Sequence, residues 1–286
     1  MSEITPAIAY VNGKYLPESQ ASVSIFDRGF LFADAVYEVT AVIQGKLVDF
    51  SQHMARLVRS CYELSLPLPY SEAELEQIHH SLMSQNELTE GLIYLQLTRG
   101  NPGTRSFLYP EKQIKPTLVL FTQPVNIIEQ PLARLGIRMV TYDDIRWLRR
   151  DIKTVALLAA SMAKEYAQTN NADDALLVQD GFITEGSSSN CFIFRDNKLI
   201  TRELSQDILP GITRRAILQL AKEQNLIIEE RAFTPHEAIE AQEVFITSAT
   251  TLIWPVISID GQLINNGIPG PIAKRLREIY LAQITK

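Results

Sequence analysis

The chain has 286 residues, with 27 Lys and Arg against 33 Asp and Glu, a formal charge of −6. That length suits two domains or one large one, and a composition 46% apolar and 21% charged excludes a disordered tail protein. The acidic balance gives no basic field for a polyanion, which excludes nucleic acid as a main partner while leaving room for a local phosphate pocket.

The opening MSEITPAIAYVNGKYLPE has no basic stretch followed by an apolar core, so no signal segment is expected. Asn12-Gly13 and Gln44-Gly45 each separate short apolar runs and predict hairpins, because both positions of such turns tolerate positive φ. In Ser51–Leu64 the apolar residues Met54, Leu57, Val58, Cys61 and Leu64 fall at helical spacing, and Ser71–Met83 repeats the pattern with Ser71 as a cap. Leu92–Thr98 and Thr117–Thr122 read as strands. The stretch 123–131, QPVNIIEQP, lies between Pro124 and Pro131 and is expected to link domain 1–122 to domain 132–286.

Beyond it the pattern predicts strand Ile137–Tyr142, an Ala-rich helix over Thr154–Thr169, and strands Ala175–Val178 and Cys191–Phe194 around the turn Asp180-Gly181. Helix Thr213–Asn225, strand Val244–Ile246, hairpin Ile257–Ile264 around Asp260-Gly261 and helix Ile272–Ile284 complete the chain. Hairpins interspersed with helices argue for an α+β fold. No uncharged apolar run approaches about 20 residues, so no membrane span is expected. The two cysteines, Cys61 and Cys191, are far apart and predict reduced, buried thiols in a cytoplasmic protein.

Common catalytic signatures are missing. There is no P-loop, no G-x-G-x-x-G, no H-E-x-x-H and no G-x-S-x-G. His79 and His80 are adjacent, so their side chains diverge on a helix and no metal site is expected; His79 fits the edge of an apolar face and His80 the solvent.

Four segments stand out. Lys153 in DIRWLRRDIKTVALLAASMA precedes a run of Ala, Leu, Val and Met. A lysine desolvated against such a wall favours its neutral amine, which can form a Schiff base with an aldehyde. Taken alone, the segment reads more plainly as a solvated lysine ahead of a core helix. Thr184–Asn190, TEGSSSN, is a polar turn or a place where Glu185 pairs with a protonated ring nitrogen. Thr213, after LPGI, is placed as an N-cap, and helix N-termini bind phosphate. TSATT, Thr247–Thr251, follows an apolar strand. An amine, a carboxylate and two phosphate-cradling candidates are what pyridoxal phosphate requires of a protein.

With these residues goes a run of motifs: DRGFLFADAVYEV (Asp27–Val39), HMARL (His53–Leu57), TRG (Thr98–Gly100), DIRWLRRDIK (Asp144–Lys153), TEGSSSN, LPGITR (Leu209–Arg214) and FITSATT (Phe245–Thr251). In this order they resemble the class IV, fold type IV, pyridoxal-phosphate aminotransferases, and among them most closely the D-amino acid transaminases. The resemblance implies a two-domain α+β fold with the cofactor between the domains, and a homodimer. It implies Lys153 in the larger C-terminal domain as the Schiff-base lysine that also moves the Cα proton, and Glu185 as partner of the pyridine nitrogen. It gives Arg56 to the phosphate, against the helical pattern, which sets Arg56 opposite Met54, Leu57 and Cys61. Ile212 and Thr213 are implied to meet the phosphate, with Ser248, Ala249 and Thr250 nearby, and Leu209 to pack on the ring.

For the substrate, Tyr37 matches the family's carboxylate-binding tyrosine, and Arg105 in TRSFLYP matches an arginine supplied by the neighbouring subunit. Phe107 stands where the family has a histidine, which implies an altered and looser carboxylate trap. The implied reaction is a ping-pong transfer of the amino group from a D-amino acid, such as D-alanine or D-glutamate, to a 2-oxo acid. Alternatives on the same fold are an (R)-amine transaminase, a branched-chain L-amino acid transaminase and an aminodeoxychorismate lyase. Val36-Tyr37-Glu38-Val39 counts against the branched-chain reading, whose members usually have V-F-E-G. A non-catalytic binding protein would not need Lys153 and Glu185.

Overall fold

The computed structural model describes residues 7–286. The reading of the N-terminal stretch as free of a signal segment rests in part on residues 1–6, which lie outside the described residues. The chain divides into two units: one runs to Asn126 and includes Ile152–Ala156, and the other comprises Ile127–Asp151 and Leu157–Lys286. Lys153 therefore belongs to the first unit, not to the C-terminal domain in which the sequence reading places it.

The first unit contains β1 (Ile8–Val11), β2 (Lys14–Pro17), α1 (Arg28–Phe32), β3 (Ala35–Ile43), β4 (Lys46–Leu47), α2 (Phe50–Glu63), α3 (Glu72–Gln85), β5 (Glu90–Thr98) and β6 (Thr117–Pro124). The strands form one antiparallel sheet in the order β2-β1-β6-β5-β3-β4. The two expected hairpin turns are present, with Asn12 and Gly13 at φ 47° and 91° and Gln44 and Gly45 at φ 51° and 70°. Ser71 caps α3 in a reciprocal capping box with Glu74, an arrangement worth about 1 kcal/mol. Because side chains alternate along a strand, Val36, Val42, Ile93, Leu95 and Leu97 share one face, where Met54 and Leu57 of α2 and Leu75 and Leu82 of α3 cover them. Each such buried side chain contributes roughly 1.5–3 kcal/mol. Tyr37, Tyr94 and Phe121 stack on the other face, with successive ring centroids 5.6 and 4.9 Å apart.

The second unit contains α4 (Pro131–Leu135), β7 (Ile137–Asp143), α5 (Leu158–Thr169), β8 (Asp174–Gln179), β9 (Phe182–Gly186), β10 (Asn190–Arg195), β11 (Lys198–Thr201), α6 (Ile212–Glu223), β12 (Ile227–Glu230), α7 (Pro235–Ile239), β13 (Glu243–Ser248), β14 (Leu252–Ile259), β15 (Gln262–Leu263) and α8 (Pro271–Ile284). Its mixed sheet runs β12-β11-β10-β13-β14-β7-β8-β9, with β15 beside β14. Two parallel crossovers interrupt the hairpins: β7 to β8 through α5, and β11 to β12 through α6. Ile137, Leu176, Ile193, Val244 and Ile246 build the core with Phe233. Phe192 and Phe245 stack with centroids 5.0 Å apart.

The helix expected from Thr154 begins instead at Leu158, and on it only Ala163 and Ala167 are buried. Residues 153–155 are extended because β4 covers only the Val42–Ile43 end of β3. The uncovered part of β3 takes them as its neighbour: Tyr37 N–H donates to the Lys153 carbonyl at 3.0 Å, Val155 N–H to that of Ala35 at 3.3 Å, and Thr154 bridges Val36. Unsatisfied strand-edge groups outweigh the helical preference of an Ala-rich run. The apolar wall expected after Lys153 is thus largely solvent-facing, with Leu158 and Met162 exposed.

Candidate active site

In the first unit, Lys153 is half-buried and tethered at both backbone groups. Its N–H donates to Ser60 Oγ at 3.4 Å, while its carbonyl accepts from Tyr37. Its Nζ stands 4.2 Å from the centre of the Tyr37 ring.

One residue on from Tyr37, and so on the opposite face of β3, the Glu38 carboxylate is fully buried. Arg56 donates to it through Nε at 2.8 Å and Nη2 at 2.7 Å, and His53 Nδ1 lies 2.7 Å from Oε2. Burial alone would raise the Glu38 carboxyl, but the Arg56 guanidinium, with His53, outweighs it and holds the group at about 2. Arg56 is buried, not solvated as its place opposite the apolar stripe of α2 would suggest. Glu38, on the same sheet face as Val36 and Val42, supplies the counter-charge that lets the polar side of this helix be buried as well.

Arg105 lies in the loop between β5 and β6, with its guanidinium 5.3 Å from the Phe32 ring centre and 5.1 Å from that of Phe107. Phe107 itself is 77% exposed. Tyr37 instead meets Lys153 and Tyr94. Among the described residues, one chain does not bring Arg105 and Tyr37 into contact.

In the second unit, Glu185 on β9 is buried and closely held. Oε1 accepts from Arg146 Nη1 at 2.5 Å, and Oε2 from Asn190 Nδ2 at 2.9 Å and from the Leu209 N–H at 3.1 Å. Burial pushes this carboxyl up, against the pull of the Arg146 guanidinium and the Leu209 N–H. Asn190 also donates to the Leu209 carbonyl at 2.9 Å, so Glu185 and Leu209 are joined through one amide.

Asn190 joins this carboxylate to the remaining candidates. It pairs across the ladder with Thr247, next to Ser248. A Cβ on Gly211 would come 2.0 Å from Asn190 Oδ1. Gly211, not Thr213, is the N-cap of α6, and it supplies no side-chain oxygen to the first turn that contains Ile212 and Thr213. Thr213 is the second residue of the helix and is buried. Ser248, Ala249 and Thr250 lie in the turn after β13, where Ser248 Oγ accepts from Thr251 N–H at 3.1 Å and lies 3.2 Å from Thr250 Oγ1. The uncapped helix start and the hydroxyl turn therefore share one end of the sheet with Glu185.

Arg146, Asp144, Asn190, Glu38 and His53 received no role from the sequence. All five lie inside the recurring motifs, yet nothing in a linear pattern shows that they meet the predicted site residues.

The model of the family "Amino-transferase class IV" matches residues 35–259. The chain belongs to the class IV aminotransferases. It is 41% identical over 266 residues to a D-alanine aminotransferase of Bacillus licheniformis, covering 93% of each protein. A D-alanine aminotransferase of Staphylococcus aureus (strain MSSA476) is 38% identical over 94% of this chain and 95% of its own length. Among solved structures, a branched-chain amino acid aminotransferase of Escherichia coli superposes with a TM-score of 0.90 at 22% identity, covering 98% of this chain and 95% of that one. At that identity the likeness concerns the fold, and it gives this aminotransferase the expected two-domain fold type IV architecture.

Pyridoxal phosphate is the cofactor of the family, and the residues present fit it. The fit rests on a buried carboxylate already held on three sides, a helix start without a side-chain cap, a turn of hydroxyls, and buried Ser189 and Thr247 hydroxyls without protein partners. No helix among the described residues is long and apolar enough to cross a membrane. Cys61 and Cys191 are free and buried, His79 is buried and His80 exposed.

Proposed function

We propose that this protein is a pyridoxal-phosphate-dependent transaminase that moves the amino group of a D-amino acid, such as D-alanine or D-glutamate, to a 2-oxo acid. The observation that carries the reading is the similarity to D-alanine aminotransferases along almost the whole of both chains. When bound, pyridoxal phosphate supplies an aldehyde that condenses with amines and a ring that accepts the electron pair left when the Cα proton departs.

Lys153 would hold the cofactor's aldehyde through its Nζ and would take up and return the substrate's Cα proton. Glu185 faces the ring nitrogen, and Leu209 packs on the ring. Arg56, the first turn of α6 at Ile212 and Thr213, and the Ser248, Ala249 and Thr250 turn hold the phosphate. Tyr37 and an Arg105 from a second copy of the chain take the substrate carboxylate, the guanidinium through two parallel hydrogen bonds. Phe107 borders that Arg105, to which it offers a ring instead of a polar partner.

A homodimer supports this division of labour, because exposed apolar residues occur on each unit: Phe30, Phe107 and Leu108 on the first, and Leu158, Met162 and Tyr166 at successive turns of α5 on the second. A reducing, cytoplasmic setting suits the two free cysteines.

A second reading, an (R)-amine transaminase, is favoured by one observation, the apolar Phe107 beside Arg105. Parallel half-reactions with D-alanine, D-glutamate, L-leucine and an (R)-arylamine separate the two. D-Alanine or D-glutamate should discharge the visible chromophore fastest; fast reaction with the arylamine or with L-leucine alone would overturn the D-amino acid reading. Borohydride should fix the chromophore to the protein, and Lys153→Ala should abolish that fixation.

A further inference from the structure

Arg146 donates to Glu185, yet most of its hydrogen bonding goes elsewhere. Nε and Nη2 donate to the two oxygens of Asp144 at 2.8 and 2.7 Å, leaving Nη1 for Glu185 Oε1 at 2.5 Å. Asp144 is itself fixed by the Thr184 hydroxyl at 2.7 Å, and Arg150 lies 3.4 Å from its Oδ2. Arg150 in turn donates to the side-chain Oε1 of Gln179 at 2.5 Å and stands 3.9 Å from Asp207. The Asp144 and Glu185 side chains are 0% and 4% exposed.

An ionised carboxylate offers about four acceptor positions, two on each oxygen. On Glu185, Asn190 and the Leu209 N–H take both positions of Oε2, and Arg146 takes one of Oε1. One position is left, on Oε1. The charges are arranged to keep it useful. Asp144 claims two donors and much of the charge of Arg146, so the guanidinium orients Glu185 without cancelling it. Were Arg146 absent, the buried Glu185 would have no counter-charge and would take up a proton. Were Asp144 neutral, the whole charge of Arg146 would fall on Glu185.

We propose that the Asp144–Arg146 pair is a positioning device that presents Glu185 as a carboxylate with a single open acceptor on Oε1, reserved for the protonated ring nitrogen of pyridoxal phosphate. This rests on the reading of Glu185 given above. Arg146 and Asp144 act through Glu185 and touch neither substrate nor cofactor in that role.

The test compares pyridoxal phosphate with its 1-deaza analogue, in which C–H replaces the ring nitrogen, by titrating cofactor-free protein and reading absorbance. The wild-type protein should bind the natural cofactor about tenfold tighter or more, the worth of one hydrogen bond to a charged group. In Arg146→Gln that ratio should fall close to one, in protein whose far-ultraviolet spectrum shows it folded even where the melting temperature drops. Arg146→Lys, which keeps the charge but cannot span two carboxylates, should recover part of it. Asp144→Asn, which leaves the whole charge of Arg146 on Glu185, should also lower the ratio. If Arg146→Gln does not fold, Asp144→Asn carries the same comparison. Wild-type ratios in both Arg146→Gln and Asp144→Asn would overturn the proposal and leave the role of Glu185 standing. A wild-type protein that binds both compounds equally would remove the role of Glu185 itself, and this inference with it.

Discussion

The amine of Lys153 lies over the face of Tyr37, 4.2 Å from the ring centre, and the same two residues share a backbone hydrogen bond of 3.0 Å. A cation over an aromatic face gains about 0.5–2 kcal/mol, and the backbone pairing fixes the direction from which the side chain leaves. The ring and the hydroxyl of Tyr37 then have separable effects. Tyr37→Leu should slow incorporation of pyridoxal phosphate several-fold, because the amine loses its platform. Tyr37→Phe should keep the incorporation rate while raising KM for amino acids several-fold, because it loses only the hydroxyl. Stopped-flow absorbance and steady-state kinetics distinguish them.

Acid sensitivity should come in two windows. Burial holds His79 near 4, below an ordinary histidine, with its Nδ1 on the Leu75 carbonyl. The folded state thus disfavours the charged imidazole, so the unfolded chain gains the proton as pH falls from about 6.5 to 4. Stability of about 3 kcal/mol, present above that range, is lost across it. His79→Leu should flatten this limb in urea melts taken at several pH values.

For Glu38 the sign is also that of a depressed group. Burial opposes ionisation, but Arg56 outweighs it and holds the carboxyl at about 2. Its stabilisation, again about 3 kcal/mol, is complete above the ordinary carboxylate range and disappears as pH falls from there through about 2. Glu38→Gln should cost about 3–5 kcal/mol at neutral pH, since the Arg56 guanidinium then stays buried without the Glu38 charge. Chemical denaturation at pH 7 checks this.

Gly211→Ala tests the junction of helix α6 with the Glu185 cluster. The backbone there is at φ −64°, so alanine is not strained by conformation. The new Cβ would instead meet Asn190 Oδ1 at 2.0 Å and displace the amide that bonds Glu185 and Leu209. Cofactor affinity should fall about tenfold, the equivalent of one hydrogen bond to a charged group, with a smaller change in melting temperature. Equilibrium titration of the variant measures it.

The exposed α5 stripe predicts the oligomeric state. Leu158→Glu places a charge in a surface that association would bury, so light scattering should show a shift from dimer to monomer at micromolar protein. Activity should fall with it if, as proposed, a second copy supplies Arg105.

Much of the fold was legible because it is local. Asn12-Gly13 and Asp180-Gly181 force tight turns by their tolerance of positive φ, Ser71 and Glu74 cap α3, and the spacing of Met54, Leu57 and Cys61 makes α2 amphipathic. Short elements such as α1, α4, α7 and β12 carry too few residues to show a period and were not anticipated. Lys153 and Glu185 stood out by residue type and motif, whereas Arg146 read as one charge among several in DIRWLRRDIK.

The sequence by itself determined the α+β class, most hairpins and long helices, and the set of residues suited to pyridoxal phosphate. Those depend on propensity and chemistry within a few residues of chain. Only the tertiary structure decided that Lys153 is an extended residue on the open edge of β3 and not the start of a helix. It also decided that Arg56 is a buried partner of Glu38, and that Asp144 shares Arg146 with Glu185. The reason is the same in each case. A strand edge must find a hydrogen-bonding neighbour and a buried charge must find a counter-charge, and the group that answers lies tens of residues away, where no local pattern points to it.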